Sequence, residues 1–91
     1  MAHVEIYTKS WCGFSVRAKG DLDRMGVSFE EIDVTTDSIR EQEMVDRSGR
    51  HTVPQIFIDG YHVGGSDDLR EAEVSGLLER LLSEQHEGEA A

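Results

Sequence analysis

The chain has 91 residues, with 19 acidic and nine basic side chains, a net charge of −10 and an isoelectric point near 4.6. Such a charge repels nucleic-acid backbones and anionic membrane surfaces, which excludes both as partners. A chain this short makes one domain with one modest core, and its single cysteine and lack of zinc-type Cys/His spacing leave apolar packing to hold it together.

His3 to Tyr7 alternates polar and apolar residues and is predicted to be a strand. After Trp11-Cys12-Gly13 the pattern changes: Phe14, Ala18, Leu22 and Met25 recur at helical spacing until Gly26 stops them. Val27 to Val34, with Phe29 and Ile32, predicts a second strand, and the return to it through a helix implies a parallel β-α-β unit. Thr35 to Ser38 supply turn and cap residues for a helix over Ile39 to Arg47, whose stripe of Ile39, Met44 and Val45 is weak and which Gly49 ends. Gln55-Ile56-Phe57-Ile58 and Tyr61-His62-Val63 flank the two-residue turn Asp59-Gly60, the pattern of a β-hairpin. Gly64-Gly65 leads into Ser66-Asp67-Asp68, a capping residue followed by acids suited to a first helical turn. Leu69, Ala72, Leu77, Leu78, Leu81 and Leu82 then make a final helical region interrupted near Gly76. One domain over 1–84 with a flexible tail over 85–91 accounts for the sequence. Met1-Ala2-His3-Val4-Glu5 has no signal-peptide character and no apolar run reaches the length of a bilayer span, so a reduced, cytoplasmic setting is expected.

Cys12 falls at the junction of the first strand and the first helix. A thiol there meets unpaired backbone N–H groups and the positive end of the helix dipole, both of which favour the thiolate. Lys9 and Arg17 are expected to depress its pKa further. These features favour a reactive nucleophile over a buried cysteine used as a small hydrophobe. Lys9, Arg17, Lys19 and Arg24 form a basic island suited to a small anionic ligand, although Lys19 and Arg24 are read as solvating an exposed helix face. Gly64-Gly65 permits close backbone approach, and the N–H groups of Ser66 and Asp67 make either an anion site or an ordinary capped helix start. Pro54, the only proline, lacks an N–H at the start of a strand and so leaves a place where another group can pair.

The order β-α-β-α-β-β-α describes an α/β, thioredoxin-like fold: a four-stranded mixed sheet flanked by helices. Within it, Tyr7-Thr8-Lys9 precedes Cys12-Gly13-Phe14-Ser15, Thr52-Val53-Pro54 precedes the hairpin, and Gly64-Gly65-Ser66-Asp67-Asp68 follows it. These motifs, in this order over nearly the whole chain, resemble the glutaredoxin family. The resemblance implies a glutathione-disulfide oxidoreductase with Cys12 as catalytic nucleophile and glutathione as cofactor. It also implies a cis bond before Pro54, with the Thr52-Val53-Pro54 segment at the thiol and the Val53 backbone bonded to the cysteine portion of glutathione. Phe14 stands where many relatives have tyrosine and keeps the aromatic wall. Gly65, Ser66 and Asp67 take the γ-glutamyl end, the helix start holding its α-carboxylate and Asp67 its α-ammonium group. Lys9 is the cation implied for the glycine carboxylate, with Arg40 and His51 as helpers and Glu41 where many relatives have a polar amide.

Ser15 bears on the mechanism, because serine neither attacks nor leaves in thiol–disulfide exchange. The dithiol route is closed, and the monothiol route remains: Cys12 takes the glutathionyl group from a glutathionylated protein or small mixed disulfide, and a second glutathione regenerates it. Cys-Gly-Phe-Ser is also the signature of monothiol glutaredoxins that hold a [2Fe-2S] cluster between two protomers, with two glutathiones supplying the remaining thiolates. A cluster-bridged homodimer with Cys12 as metal ligand is therefore the alternative to a monomeric oxidoreductase. The chain departs from that subfamily in two ways. It lacks the extra residues expected between Lys9 and Cys12, and it has Arg50-His51-Thr52-Val53-Pro54 where a tryptophan-proline pair is expected. A body of the dithiol type thus carries a monothiol site, either as a natural hybrid or through an engineered replacement of a resolving cysteine at position 15.

Overall fold

The computed structural model describes the backbone of residues 2–90 and the side chains through Ser83. The expected tail over 85–91 lies outside the described side chains. The elements run β1 (Val4–Thr8), α1 (Gly13–Arg24), β2 (Glu30–Asp33), α2 (Ser38–Ser48), β3 (Gln55–Ile58), β4 (Tyr61–Gly64), α3 (Ser66–Ser75) and α4 (Leu77–Ala90). Their strands form one mixed sheet in the order β2-β1-β3-β4. β1 pairs parallel with β2 and antiparallel with β3, and β4 returns antiparallel along β3.

The period-two alternation of the central strands divides the interior into two layers. Val4 and Ile6 of β1 and Ile56 and Ile58 of β3 point to one face, where Ala18 and Leu22 of α1, Leu69 and Ala72 of α3, and Leu78 and Leu81 of α4 close over them. Tyr7 and Phe57, one residue out of phase, point to the other face and pack with Ile32, Val34 and Met44 of α2. β3 is buried at all four positions because helices cover both of its faces. Asp59 and Gly60 both take positive φ, 50° and 83°, as a tight primed turn between twisted strands requires.

Three expectations change. Phe14 does not extend the buried stripe of α1; it is 58 % exposed, and its place among the fully buried residues goes to Ser15. The second strand is shorter than Val27 to Val34, because the end of α1 claims its first residues: Val27 N–H donates to Leu22 O at 3.0 Å while Gly26 turns left-handed at φ 72°. Val27 and Phe29 still pack on the core without joining the ladder. Ile39 is exposed, so Met44 anchors α2 with Val45 packed beside its cluster. The final helical region divides at Gly76, whose φ of 85° ends α3.

Candidate active site

Cys12 occupies the N-cap position of α1 with extended backbone, φ −92° and ψ 116°. The strand-to-helix turn is fixed by its N–H donating to Lys9 O and its carbonyl accepting from Val16 N–H, both at 3.1 Å. Partial burial pushes the thiol pKa up, but the Ser15 hydroxyl, the Ser15 and Phe14 N–H groups and the Lys9 charge together outweigh it. The net shift is downward, toward thiolate. Ser15 Oγ is buried and has no hydrogen-bond partner among the described residues. A thiolate at the neighbouring Cys12 would accept from this hydroxyl, which lowers the thiol pKa.

Arg17, also expected to act on the thiol, is paired elsewhere. Its Nη2 donates to Asp67 Oδ1 at 2.8 Å, across to the start of α3. The other members of the basic island are likewise paired with acids: Lys9 with Glu41 at 3.0 Å, Lys19 with Glu31 at 2.9 Å and Arg24 with Glu73 at 3.1 Å. The island is therefore a set of cross-element ion pairs, with Lys9 also 5.7 Å from the Trp11 ring.

From Cys12 Sγ, a hydrogen bond of 3.6 Å reaches Val53 O. The Val53–Pro54 peptide is cis. Val53 belongs to the wall of a cavity of about 290 Å³, which collects most of the residues singled out from the sequence: Phe14, Thr52, Val53, Pro54, Gly65, Ser66 and Asp67. Cys12 stands beside this cavity, and Lys9 does not line it. Arg40 pairs with Glu43 at 3.3 Å and His51 is exposed; neither lines the cavity.

Three further residues complete the wall: Arg50, Gln55 and Asp68. The Gln55 amide donates to Thr52 O at 3.0 Å and its Oε1 meets His62 Nε2 at 2.7 Å, which ties the Thr52-Val53-Pro54 segment to β4. Asp68 Oδ2 accepts both the Gly65 N–H and Arg50 Nη1 at 2.9 Å. The Gly65 N–H first, and Arg50 second, hold its carboxyl below the usual range. This carboxylate caps the Gly65 N–H from inside the helix, and the N–H groups of Ser66 and Asp67 are first-turn donors with no intrahelical acceptor. Ser66 is 5 % exposed and its Oγ has no partner among the described residues. The acid pattern Asp67-Asp68 was legible as dipole-favourable; the division of labour between the two was not, because it depends on Arg50 and Arg17 arriving from elsewhere.

Among the described residues, one group of three carries metal-type ligand atoms within 4.8 Å of one another: His3, Glu5 and Glu30. It lies across β1 and β2 at the end away from Cys12, and Arg47 already grips both oxygens of Glu5 at 3.0 and 3.2 Å.

A nucleophilic sulfur thus sits beside a backbone carbonyl, an aromatic wall and a helix start with free donors. Comparison with known proteins gives this arrangement a context. The family model described as Glutaredoxin matches residues 4–63. Glutaredoxin 3 of Escherichia coli (strain K12) is 51 % identical over 82 residues, which span 90 % of this chain and 99 % of that relative. Glutaredoxin of Pseudomonas aeruginosa is 46 % identical over 83 residues, 91 % of this chain and 99 % of that one. Among solved structures, the solution structure of glutaredoxin from Brucella melitensis superposes with a TM-score of 0.79 at 49 % identity, covering 90 % of this chain and 89 % of that chain. The crystal structure of the buckwheat glutaredoxin–glutathione complex gives a TM-score of 0.82 at 28 % identity, covering 91 % and 78 %.

Proposed function

The chain belongs to the glutaredoxin family, and from that premise we propose that it is a monothiol oxidoreductase that removes glutathione from mixed disulfides. The Cys12 thiolate attacks the glutathionyl sulfur of a glutathionylated protein or small disulfide. The Cys12–glutathione S–S bond forms as the old S–S bond breaks, and the substrate leaves as its thiolate and takes up a proton. Glutathione thiolate then attacks the glutathionyl sulfur on Cys12, giving glutathione disulfide and restoring the Cys12 thiolate. Each cycle converts one mixed disulfide and one glutathione thiol into the free substrate thiol and one glutathione disulfide, so no second protein thiol is needed.

The observation that carries this reading is the placement of a pKa-lowered sulfur 3.6 Å from Val53 O, itself in the wall of a cavity that ends at the first turn of α3. A tripeptide lying there would offer its cysteine amide to the Val53 backbone and its γ-glutamyl carboxylate to the Ser66 and Asp67 N–H groups. Phe14 would pack against it. Lys9, drawn to Glu41, would serve the glycine carboxylate only on leaving that pair. The buckwheat relative, solved as a complex with glutathione, supports glutathione as the ligand.

The test is turnover of a small glutathione mixed disulfide with glutathione as reductant. Activity should vanish in Cys12→Ser and stay within about tenfold of the parent in Ser15→Cys, because position 15 takes no part in the exchange. Loss of activity in Ser15→Cys with Cys12 intact would count against the monothiol route.

One observation favours a second reading: Cys12 is the only thiol, and Ser15 beside it can donate to sulfur but not replace it. The chain fits a [2Fe-2S] cluster as the source of one ligand in four, two copies and two glutathiones making up the set, and such a cluster would supply electron or cluster transfer. Anaerobic reconstitution with iron, sulfide and glutathione should then give a coloured species at one cluster per two chains, lost in Cys12→Ser.

A further inference from the structure

The Arg17–Asp67 pair joins α1 to α3 through one nitrogen and one oxygen, Nη2 to Oδ1 at 2.8 Å; Asp67 lines the cavity, and Arg17 reaches it from outside the lining. Arg17 Nε is buried with no partner among the described residues, so a donor of the guanidinium is left unused although its planar fork suits a carboxylate held by two parallel bonds. Ser66, 95 % buried by its 5 % exposure, lines the same cavity with its Oγ also unpartnered. The Phe14 ring centroid lies 5.9 Å from the guanidinium carbon of Arg17. Asp67, by contrast, is 89 % exposed, and its carboxylate is free to turn.

We infer that Arg17 is a ligand-binding residue: it holds Asp67 in the free protein and, when a γ-glutamyl group enters, exchanges it for the ligand's α-carboxylate while Asp67 takes the α-ammonium group. The inference rests on the proposed glutathione site and deepens it. The protein pair carries one positive and one negative charge, as does the α-amino acid head of the ligand, so the exchange replaces one ion pair by two. The incoming carboxylate satisfies Arg17 Nε and the Ser66 hydroxyl, both orphaned in the free protein, and meets the first N–H groups of α3. A head group lacking either charge leaves one member of the pair without its new partner, which makes Arg17 and Asp67 together a filter for a zwitterion.

The test uses the intact chain and three non-reacting ligands: S-methylglutathione, its analogue without the α-carboxylate and its analogue without the α-ammonium group, each titrated calorimetrically. Arg17→Gln should weaken S-methylglutathione about tenfold, as loss of a charge-assisted hydrogen bond implies, and leave the decarboxylated analogue within about twofold of its affinity for the parent. Arg17→Lys, which keeps the charge without the fork, should fall between them. Asp67→Asn should show the complementary pattern with the analogue lacking the ammonium group. Ser15, Phe14 and Lys9 are the leading influences on the Cys12 sulfur, so the pH profile of Cys12 alkylation in Arg17→Gln should stay close to that of the parent. Equal weakening of S-methylglutathione and the decarboxylated analogue, or none of either, overturns the exchange while leaving the glutathione site standing. Failure of the unaltered chain to bind S-methylglutathione overturns the site itself and the exchange with it.

Discussion

Arg50 Nη1 and the Gly65 N–H converge on one oxygen of Asp68, each at 2.9 Å. The loop before the cis-proline and the start of α3 are thereby locked to a single carboxylate, and the two sides of the cavity hold a fixed separation. Gly64 makes room for this. Its φ of 118° is outside the range of ordinary side chains, and an added Cβ would come within 2.7 Å of Asp68 Cγ.

Gly64→Ala should therefore act on stability and binding together. The backbone conformation alone costs about 1–3 kcal/mol for a residue with a Cβ, and the Asp68 carboxylate has to leave the Gly65 N–H to avoid the clash. Chemical denaturation should report the loss, and glutathione affinity at a denaturant-free baseline should fall as well. A variant with parental stability and affinity would show that the first turn of α3 tolerates displacement of its cap.

Ser15→Ala separates a structural role from an electrostatic one. The hydroxyl is buried with no partner among the described residues, so its removal takes away no hydrogen bond seen there, and stability should stay within about 1 kcal/mol of the parent. The thiolate, however, loses a donor. The midpoint of Cys12 alkylation against pH should rise, and the fraction of reactive sulfur at neutral pH should drop with it. An unchanged midpoint would mean that the backbone N–H groups alone set the acidity of Cys12.

The elements were legible where a local rule governs them. Asp59-Gly60 announces its hairpin because only small or turn-forming residues accept two successive positive φ angles, and the alternation of Val4 and Ile6 against Glu5 and Tyr7 identifies a strand. Phe14 misled because helical spacing does not distinguish a core face from a cavity wall. Cys12, Val53, Ser66 and Asp67 were placed by motif, yet their partners were not: Arg17 meets Asp67 across 50 positions, and Arg50 meets Asp68 across 18. Such pairs depend on how α1, α3 and the Arg50 loop pack, which no local pattern encodes. Charge counting does not reveal the pairing for the same reason, since each cation of the basic island meets an acid supplied from β2, α2 or α3.

Asp21 gives the fold a specific acid sensitivity. Buried on α1, it accepts Arg70 Nε at 3.0 Å from α3, and this hydrogen bond, opposed by burial, holds its carboxyl below the ordinary value. A carboxyl depressed in the folded state stabilises fully above its unfolded pKa, about 3.9, and loses that contribution as pH falls through the lower folded value. Asp21→Asn should be less stable than the parent at pH 7, with the gap unchanged down to about pH 5 and closing below pH 4. Urea midpoints measured at pH 7, 5 and 3 would show it; a gap that persists undiminished at the acid end would assign the loss to packing.

Lys9 is shared between two anions, and the sharing is adjustable. Its ammonium lies 3.0 Å from Glu41 Oε2 and also acts on the Cys12 sulfur, so the carboxylate draws away part of the field that favours the thiolate. Lys9→Gln should raise the alkylation midpoint of Cys12. Glu41→Gln should lower it, because the lysine then has one anion to serve instead of two. Both shifts should shrink at high salt, since Lys9 and Glu41 remain partly open to solvent. Glu41→Gln should also tighten glutathione binding if Lys9 serves the glycine carboxylate, while a glutathione analogue amidated at that carboxylate should gain nothing. Movement of the midpoint without any change in affinity would confine Lys9 to the sulfur and leave the glycine end to another group.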